Sequence, residues 1–333
     1  MRTTRLAVVL TAVAALSLSA CSRGGDATTA SPAAVSGKKD ATIIMSTLNN
    51  PFFVSVKDGA QAQATKSGIK LTVQNADNSD ATFLNQATTA ISKQTGVLIL
   101  DPVGSQSATS SVTQANAGNV PVMAFDRKPT GGNLASFVGY DAVQAGKNAA
   151  DALAKAINGK GKVVEIQGIL GTNVAQDRSK GFEQQIATYK DITVVAKQAA
   201  NFDRSKALDV MTNVLQANPD IDGVYAANDE MAMGVLSALK ARSLVGKVQL
   251  VGNDGIADAL AAVESGEMYA TNAESPYALG QKVVSLAGDI LAGKKVQADE
   301  VLEGKLVTKD SVKDYAKYLL ELGDTSGVPS SLR

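Results

Sequence analysis

From residue 41 onward the chain alternates short β-branched runs with longer stretches whose apolar residues recur every three or four positions. The runs "ATIIMST", "IKLTVQN", "GVLIL", "VPVMAF" and "ASFVGY" predict strands, with helices over 51–67, 80–95 and 104–117 among them. The first helix places Phe53, Val56, Ala60 and Ala64 on one stripe. Near-continuous apolar strands separated by helices predict a mostly parallel sheet covered on both faces. The pattern then restarts. After a helix over 142–158, the strands "GKVVEIQG", "ITVVAKQ", "IDGVYAA", "KVQLVGN" and "MYATNA" alternate with helices near 174–188, 204–217, 229–242 and 256–264, and a helix follows over 276–292. About eleven strands would be many for one sheet, so two consecutive α/β domains are expected. No sequence repeat links the halves. Residues 311–322 read as a terminal amphipathic helix and 323–333 as disordered.

Composition narrows the chemistry. Of 333 residues, 45 % are hydrophobic and 19 % charged, enough for a sizeable core in one large or two ordinary domains. Basic and acidic side chains number 32 each, so no basic excess points to nucleic acid. The chain has no histidine, which removes Ser-His-Asp and Cys-His catalysis and every His-based metal site. No metal or cofactor is expected. The single cysteine excludes an intrachain disulfide. It ends "MRTTRLAVVLTAVAALSLSAC", in which Arg2 and Arg5 precede an apolar stretch of signal-peptide length. The closing "LSAC" resembles the bacterial lipobox, which implies cleavage after residue 20 and a diacylglycerol on Cys21. A buried free thiol or a plain secretory signal is the alternative. Residues 21–38 read as the lipidated cysteine and a flexible tether.

In open parallel sheets, ligands bind beyond the carboxyl ends of the strands. Residues there are Asn50, Phe52, Phe53, Asp101, Asp126 and Arg127 in the first half. In the second half they are Gln167 to Thr172, Phe202, Asn228 with Asp229, Asn253 with Asp254, and Asn272 to Glu274. No glycine-rich phosphate loop follows the first strand, so nucleotide binding has no support. Asn50 suits an N-cap and Pro51 the first helical position, which puts Phe52 and Phe53 in the first turn at the sheet's carboxyl edge. There an aromatic face can stack on the C–H face of a sugar while amides, carboxylates and guanidinium groups hold its hydroxyls. A hydrophobic staple or ordinary core packing is the other reading of the two rings.

The segments "STLNNPFFVSVKDGA", "VPVMAFDR", "EIQGILGTNVAQDRSKGF", "NFDRSKALDVM", "AANDEMAMG" and "VGNDG" occur in the order found in periplasmic ribose-binding proteins, the type I sugar-binding proteins of ABC importers. The resemblance covers about residues 40–309. It implies two doubly wound α/β domains joined by three strand crossovers: 40–140 plus 275–302, and 141–274 plus 303–318, with 319–333 as a tail. It also implies a sugar held between the lobes and trapped by hinge closure. Carried over residue by residue, Asn50 bonds a hydroxyl, and Phe52 and Phe53 are the aromatics of the first lobe. Asp126 and Arg127 form its charged pair. Arg178, Phe202, Asn228 and Asp254 are the second lobe's contacts. Surface or inter-domain salt bridges are the alternative for Asp126, Arg178 and Asp254. Three positions depart from the pattern: Asp101 replaces an asparagine, Asn253 a phenylalanine and Glu274 a glutamine. A pocket richer in acceptors suits a related monosaccharide or a polyol.

The resemblance therefore implies a monomeric, lipid-anchored sugar receptor on the outer face of the cell membrane or in the periplasm, delivering ligand to ABC permease subunits. A sensor that signals to a membrane receptor is the alternative. An enzyme would need more than the paired carboxylates. A sugar-responsive repressor would need a helix-turn-helix where the leader stands.

Overall fold

The computed structural model describes residues 37–333; the leader, Cys21 and all but the end of the tether lie outside the described residues. The body contains two six-stranded sheets. The first is built from β1 (Asp40–Met45), β2 (Lys70–Asn75), β3 (Val97–Leu100), β4 (Val122–Phe125) and β5 (Phe137–Tyr140), with β11 (Asp299–Leu302) added beside β5. The second is built from β6 (Lys160–Gln167), β7 (Asp191–Ala199), β8 (Gly223–Ala226), β9 (Gln249–Asp254) and β10 (Ala270–Ala273), with β12 (Lys305–Thr308) beside β10. Spatial order in the first sheet is β11-β5-β4-β3-β1-β2 and in the second β12-β10-β9-β8-β6-β7, one plan used twice. Every pairing is parallel except β10 with β12. The order reverses between β1 and β3 and again between β6 and β8, and such switch points open a crevice for ligand.

Helices cover both sheets. On the first, α1 (Pro51–Ser67) packs on α9 (Pro276–Leu291), and α2 (Asp80–Ser92) packs on α3 (Thr109–Ala117). On the second, α4 (Ala142–Ala156) packs on α5 (Asn173–Ile186), and α6 (Arg204–Ala217) on α7 (Asp229–Ala241). Two short elements, α8 (Ala257–Ser265) and α10 (Val312–Leu322), finish the second lobe near β12. The stripe Phe53, Val56, Ala60 and Ala64 is buried, as its spacing predicted. The chain passes between the sheets three times: after β5, after β10 and after β11.

Three local expectations need correction. The helix expected over 104–117 begins at Thr109. Pro102 and Gly104 favour turns over 101–108, and Ala108 supplies no side-chain cap. No strand was expected over 299–308, yet β11 and β12 close the two sheets; both are four residues long and largely exposed, with Val301 64 % exposed, so neither carries an apolar run. The tail 323–333 is ordered rather than disordered. Gly323 ends α10 at φ 93, the left-handed cap that suits glycine, and a 3-10 turn spans Ser330–Leu332. Between them Asp324 and Val328 are buried. The Asp324 carboxylate accepts from Ser55 Oγ on α1 at 2.8 Å and from Gly327 N at 2.7 Å, which satisfies a charge that polar composition alone would have left in water.

Candidate functional site

The switch points of the two sheets face each other across the crossovers, and the helix starts there supply the polar groups. Asn50 caps α1: its Oδ1 accepts from Phe52 N at 2.9 Å, with Pro51 in the first helical position. Asn228 caps α7 in the same way, accepting from Met231 N at 3.0 Å. Each amide oxygen thereby bonds its own helix, and each side chain keeps its NH2 group as a donor. Phe52 and Phe53 meet edge to face, with centroids 5.2 Å apart.

Three side chains of the site sit on left-handed backbone: Asp126 at φ 55, Phe202 at φ 59 and Asp254 at φ 126. Aspartate tolerates the first value. The last lies outside the ordinary left-handed well and costs on the order of 1–3 kcal/mol, a strain that tends to collect at binding sites. Phe202 also needs room. A Cβ at Gly168 would lie 2.1 Å from its ring, so only glycine at the end of β6 lets the ring lie where it does.

These elements line a small cavity between the lobes. From the first lobe it is lined by Asn50, Phe52, Phe53, Asp126 and Arg127, and from the second by Arg178, Phe202, Asn228 and Asp254, together with Val174. The lobes also touch directly. Ser105 N donates to Gly171 O at 3.3 Å, Asn173 N to Ser105 Oγ at 3.3 Å, and Lys128 N to Asn173 Oδ1 at 2.8 Å. These bonds draw the first lobe's loops against the start of α5.

Each lobe contributes one buried arginine. Arg178 donates from Nη1 to Ala227 O at 2.8 Å and from Nη2 to Glu274 Oε2 at 2.9 Å, with Asp254 Oδ1 3.2 Å away. Burial disfavours its charge, but Glu274 and Asp254 outweigh this and hold the guanidinium protonated. Arg127 donates from Nη1 to Pro102 O at 3.1 Å, and its Nε lies 3.7 Å from Asp126 and 3.9 Å from Asp101. Its guanidinium carbon stands 5.5 Å from the Phe53 centroid and 5.8 Å from that of Phe202, within cation–π range of both rings. Among the described residues the Nε of each arginine has no hydrogen-bond partner, so each retains a donor.

The carboxyls respond to crowding. Burial, then the neighbouring Asp101, pushes Asp126 up to about 7 against the pull of Arg127 and Arg178. Burial raises Asp101 despite Arg127, and raises Asp254 well above the usual carboxylate range despite Arg178. Two unpaired guanidinium donors, two amide donors and two carboxyl acceptors, between aromatic rings, form an array for a small molecule bearing several hydroxyls.

The profile of the periplasmic binding protein domain family matches residues 41–295. The ribose import binding protein RbsB of Escherichia coli K12 is 43 % identical over 274 residues, spanning 82 % of this chain and 91 % of that protein. The chain belongs to the periplasmic ribose-binding protein family. Among its other relatives, a xylitol-binding protein of Mycolicibacterium smegmatis is 34 % identical over 262 residues, covering 78 % of this chain and 75 % of that one. Among solved structures, a periplasmic solute-binding protein of an ABC transporter from Actinobacillus succinogenes with bound D-allose superposes with a TM-score of 0.80 at 31 % identity, over 84 % of this chain and 100 % of that one. The type I fold expected from the family is the fold observed.

Within this family member, the three departing positions lie apart from the cavity lining. Asp101 is fully buried behind Arg127 and accepts from Ser46 N at 2.9 Å. Glu274 pairs with Arg178, and Asn253 donates to Glu274 Oε1 at 3.0 Å. Val174 lines the cavity and was missed from sequence; its only signal was its place in the first turn of α5, inside "GTNVAQDR".

Proposed function

We propose that this chain is an extracytoplasmic receptor that captures a neutral monosaccharide or polyol between its lobes and delivers it to an ABC importer. The observation that carries this reading is the cavity walled by Phe52, Phe53 and Phe202 and furnished with arginine, carboxylate and amide groups from both lobes. A hydroxyl-rich neutral ligand is favoured because each guanidinium already faces two carboxyl groups, Asp101 and Asp126 about Arg127 and Asp254 and Glu274 about Arg178, and these groups offer acceptors for hydroxyls. Binding without turnover fits a site of ligand clamps. Anchoring through a lipid on Cys21, followed by the 21–38 tether, would keep the receptor beside its permease.

A thermal-shift screen of the purified chain against D-ribose, D-allose, D-arabinose, xylitol and myo-inositol tests the reading, since a ligand that binds only the folded state raises the melting temperature. No shift with any sugar or polyol would refute it. For ligand choice, the triple variant Asp101→Asn, Asn253→Phe, Glu274→Gln is expected to move preference toward D-ribose; an unchanged ranking of the five compounds would remove those positions from specificity.

A further inference from the structure

Arg178 is backed by a line of amide hydrogen bonds that ends on its partner Glu274 and also reaches Asp254 Oδ1 from Asn253 Nδ2 at 3.3 Å. Gln144 Nε2 donates to Asn148 Oδ1 at 2.9 Å, and Asn148 Nδ2 to Asn272 Oδ1 at 3.2 Å. Asn272 Nδ2 donates to Asn253 Oδ1 at 3.3 Å, and Asn253 Nδ2 to Glu274 Oε1 at 3.0 Å. The other oxygen of Glu274 takes the Arg178 Nη2 bond at 2.9 Å. Asn148, Asn272 and Asn253 each accept on the oxygen and donate from the nitrogen, so their dipoles point toward Glu274 and reinforce one another. Asn253, Asn272 and Glu274 are at most 1 % exposed. A break anywhere in that stretch leaves a buried polar group unpaired.

The line also meets the connections between the lobes. Glu274 follows β10 directly, where the chain leaves the second sheet. Tyr140 Oη, at the first crossover, donates to Ser275 O at 3.0 Å in the second. Gly304, in the third, lies so close that a Cβ there would stand 2.8 Å from Asn272 Nδ2. Asn272 therefore sits between the arginine that lines the cavity and the strands that join the lobes.

We propose that Asn272 is a positioning residue for ligand capture: through Asn253 and Glu274 it fixes the Arg178 guanidinium in its binding orientation, in register with the crossovers. The proposal rests on the sugar-receptor reading for its ligand, though not for its geometry. Asn148 is the outer end of the same device, and Gly304 is its contact with the hinge.

The test uses the full chain with Asn272→Ala and two readouts. Titration calorimetry with D-ribose, D-allose, xylitol and myo-inositol is expected to show about tenfold weaker binding of whichever compounds the parent binds, the equivalent of one buried amide left unpaired. The loss is expected to be smaller when Glu274→Gln is already present, because both changes act on one line. The Arg178 Nε–H resonance, assigned with Arg178→Lys, is expected to broaden and exchange faster with solvent in Asn272→Ala, with or without sugar. A purely structural asparagine would lower the melting temperature while leaving that resonance and the affinities unchanged. Affinities within twofold of the parent together with an unaltered resonance would overturn the proposal. If the parent binds none of the four compounds, the sugar reading falls and the resonance alone decides the role of Asn272. Should Asn272→Ala not fold, Asn148→Ala, on the half-buried face of α4, breaks the line from outside. It is expected to give the same changes at about threefold, and their absence would count equally against the proposal.

Discussion

Replacing Arg178 with alanine is expected to cost stability as well as binding, and the cost is expected to depend on pH. The guanidinium is buried and satisfies Glu274 Oε2 at 2.9 Å, Asp254 Oδ1 at 3.2 Å and Ala227 O at 2.8 Å. Removing one partner of a buried ion pair typically costs about 3–5 kcal/mol, because the charge left behind has lost its water and gained nothing. Here two carboxylates are left behind. Asp254 already lies well above the usual carboxylate range through burial, with Arg178 as the main opposing influence. Without the arginine it moves higher still. A carboxyl whose folded-state pKa is raised contributes stability that is complete below its unfolded value and is lost as pH rises through the folded one. The variant should therefore lie about 3–5 kcal/mol below the parent at pH 8 and recover part of that difference at pH 5, where the orphaned Asp254 carboxyl takes up a proton. Urea denaturation followed by circular dichroism at the two pH values measures both gaps. Adding Glu274→Gln should restore part of the loss at pH 8. A gap under about 1 kcal/mol at pH 8, or one equal at both pH values, would refute the claim that Arg178 holds this cluster together. Ligand affinity should fall by at least about 2 kcal/mol, some thirtyfold.

Three further outcomes follow from the geometry. Gly168→Ala places a methyl group where the Phe202 ring lies and should drive the ring into the cavity; sugar affinity is expected to drop about tenfold or more with a stability loss of about 1–3 kcal/mol, and calorimetry showing unchanged affinity would mean the ring does not wall the site. Glu165 is buried, and burial pushes it to about 7 from an ordinary 4.5 despite bonds from Ser179 and Gln167, so its stabilising effect is complete below pH 4.5 and lost as pH rises through 7. Glu165→Gln should remove up to about 3 kcal/mol of that decline between pH 5 and 8; melting curves that fall as steeply as the parent's would contradict it. Ending the chain at Leu322 removes Asp324 from Ser55 and Val328 from the core, and should lower stability by about 2–4 kcal/mol by chemical denaturation, whereas an inert tail would change nothing.

How much of this was legible in the sequence depended on whether the deciding interaction was local. The two-sheet α/β plan is carried by apolar strand runs and helical stripes, each readable within one short window, and strand ends then mark the crevice because parallel sheets bind ligand there. The Asn50–Pro51 start of α1 is equally local: a cap bonds two residues away. What lay hidden was set across distance. Asp101, Asn253 and Glu274 were expected among the ligand contacts because they follow strands, but strand position cannot say whether a carboxylate faces the cavity or an arginine seated between. Asp101 lies with Arg127, 26 positions away in sequence, and Glu274 with Arg178, which sits on a different element. The ordered tail escaped for a related reason. "GDTSGVPSSLR" has the composition of a solvated end, and its burial depends on one aspartate reaching a serine 269 residues earlier and one valine entering the core. β11 and β12 were equally silent, since a four-residue strand at a sheet edge is defined by the neighbour it pairs with rather than by its own pattern. The non-local cases share a cause: each joins residues far apart in the chain, within a lobe or through the crossovers, that no periodic pattern brings together.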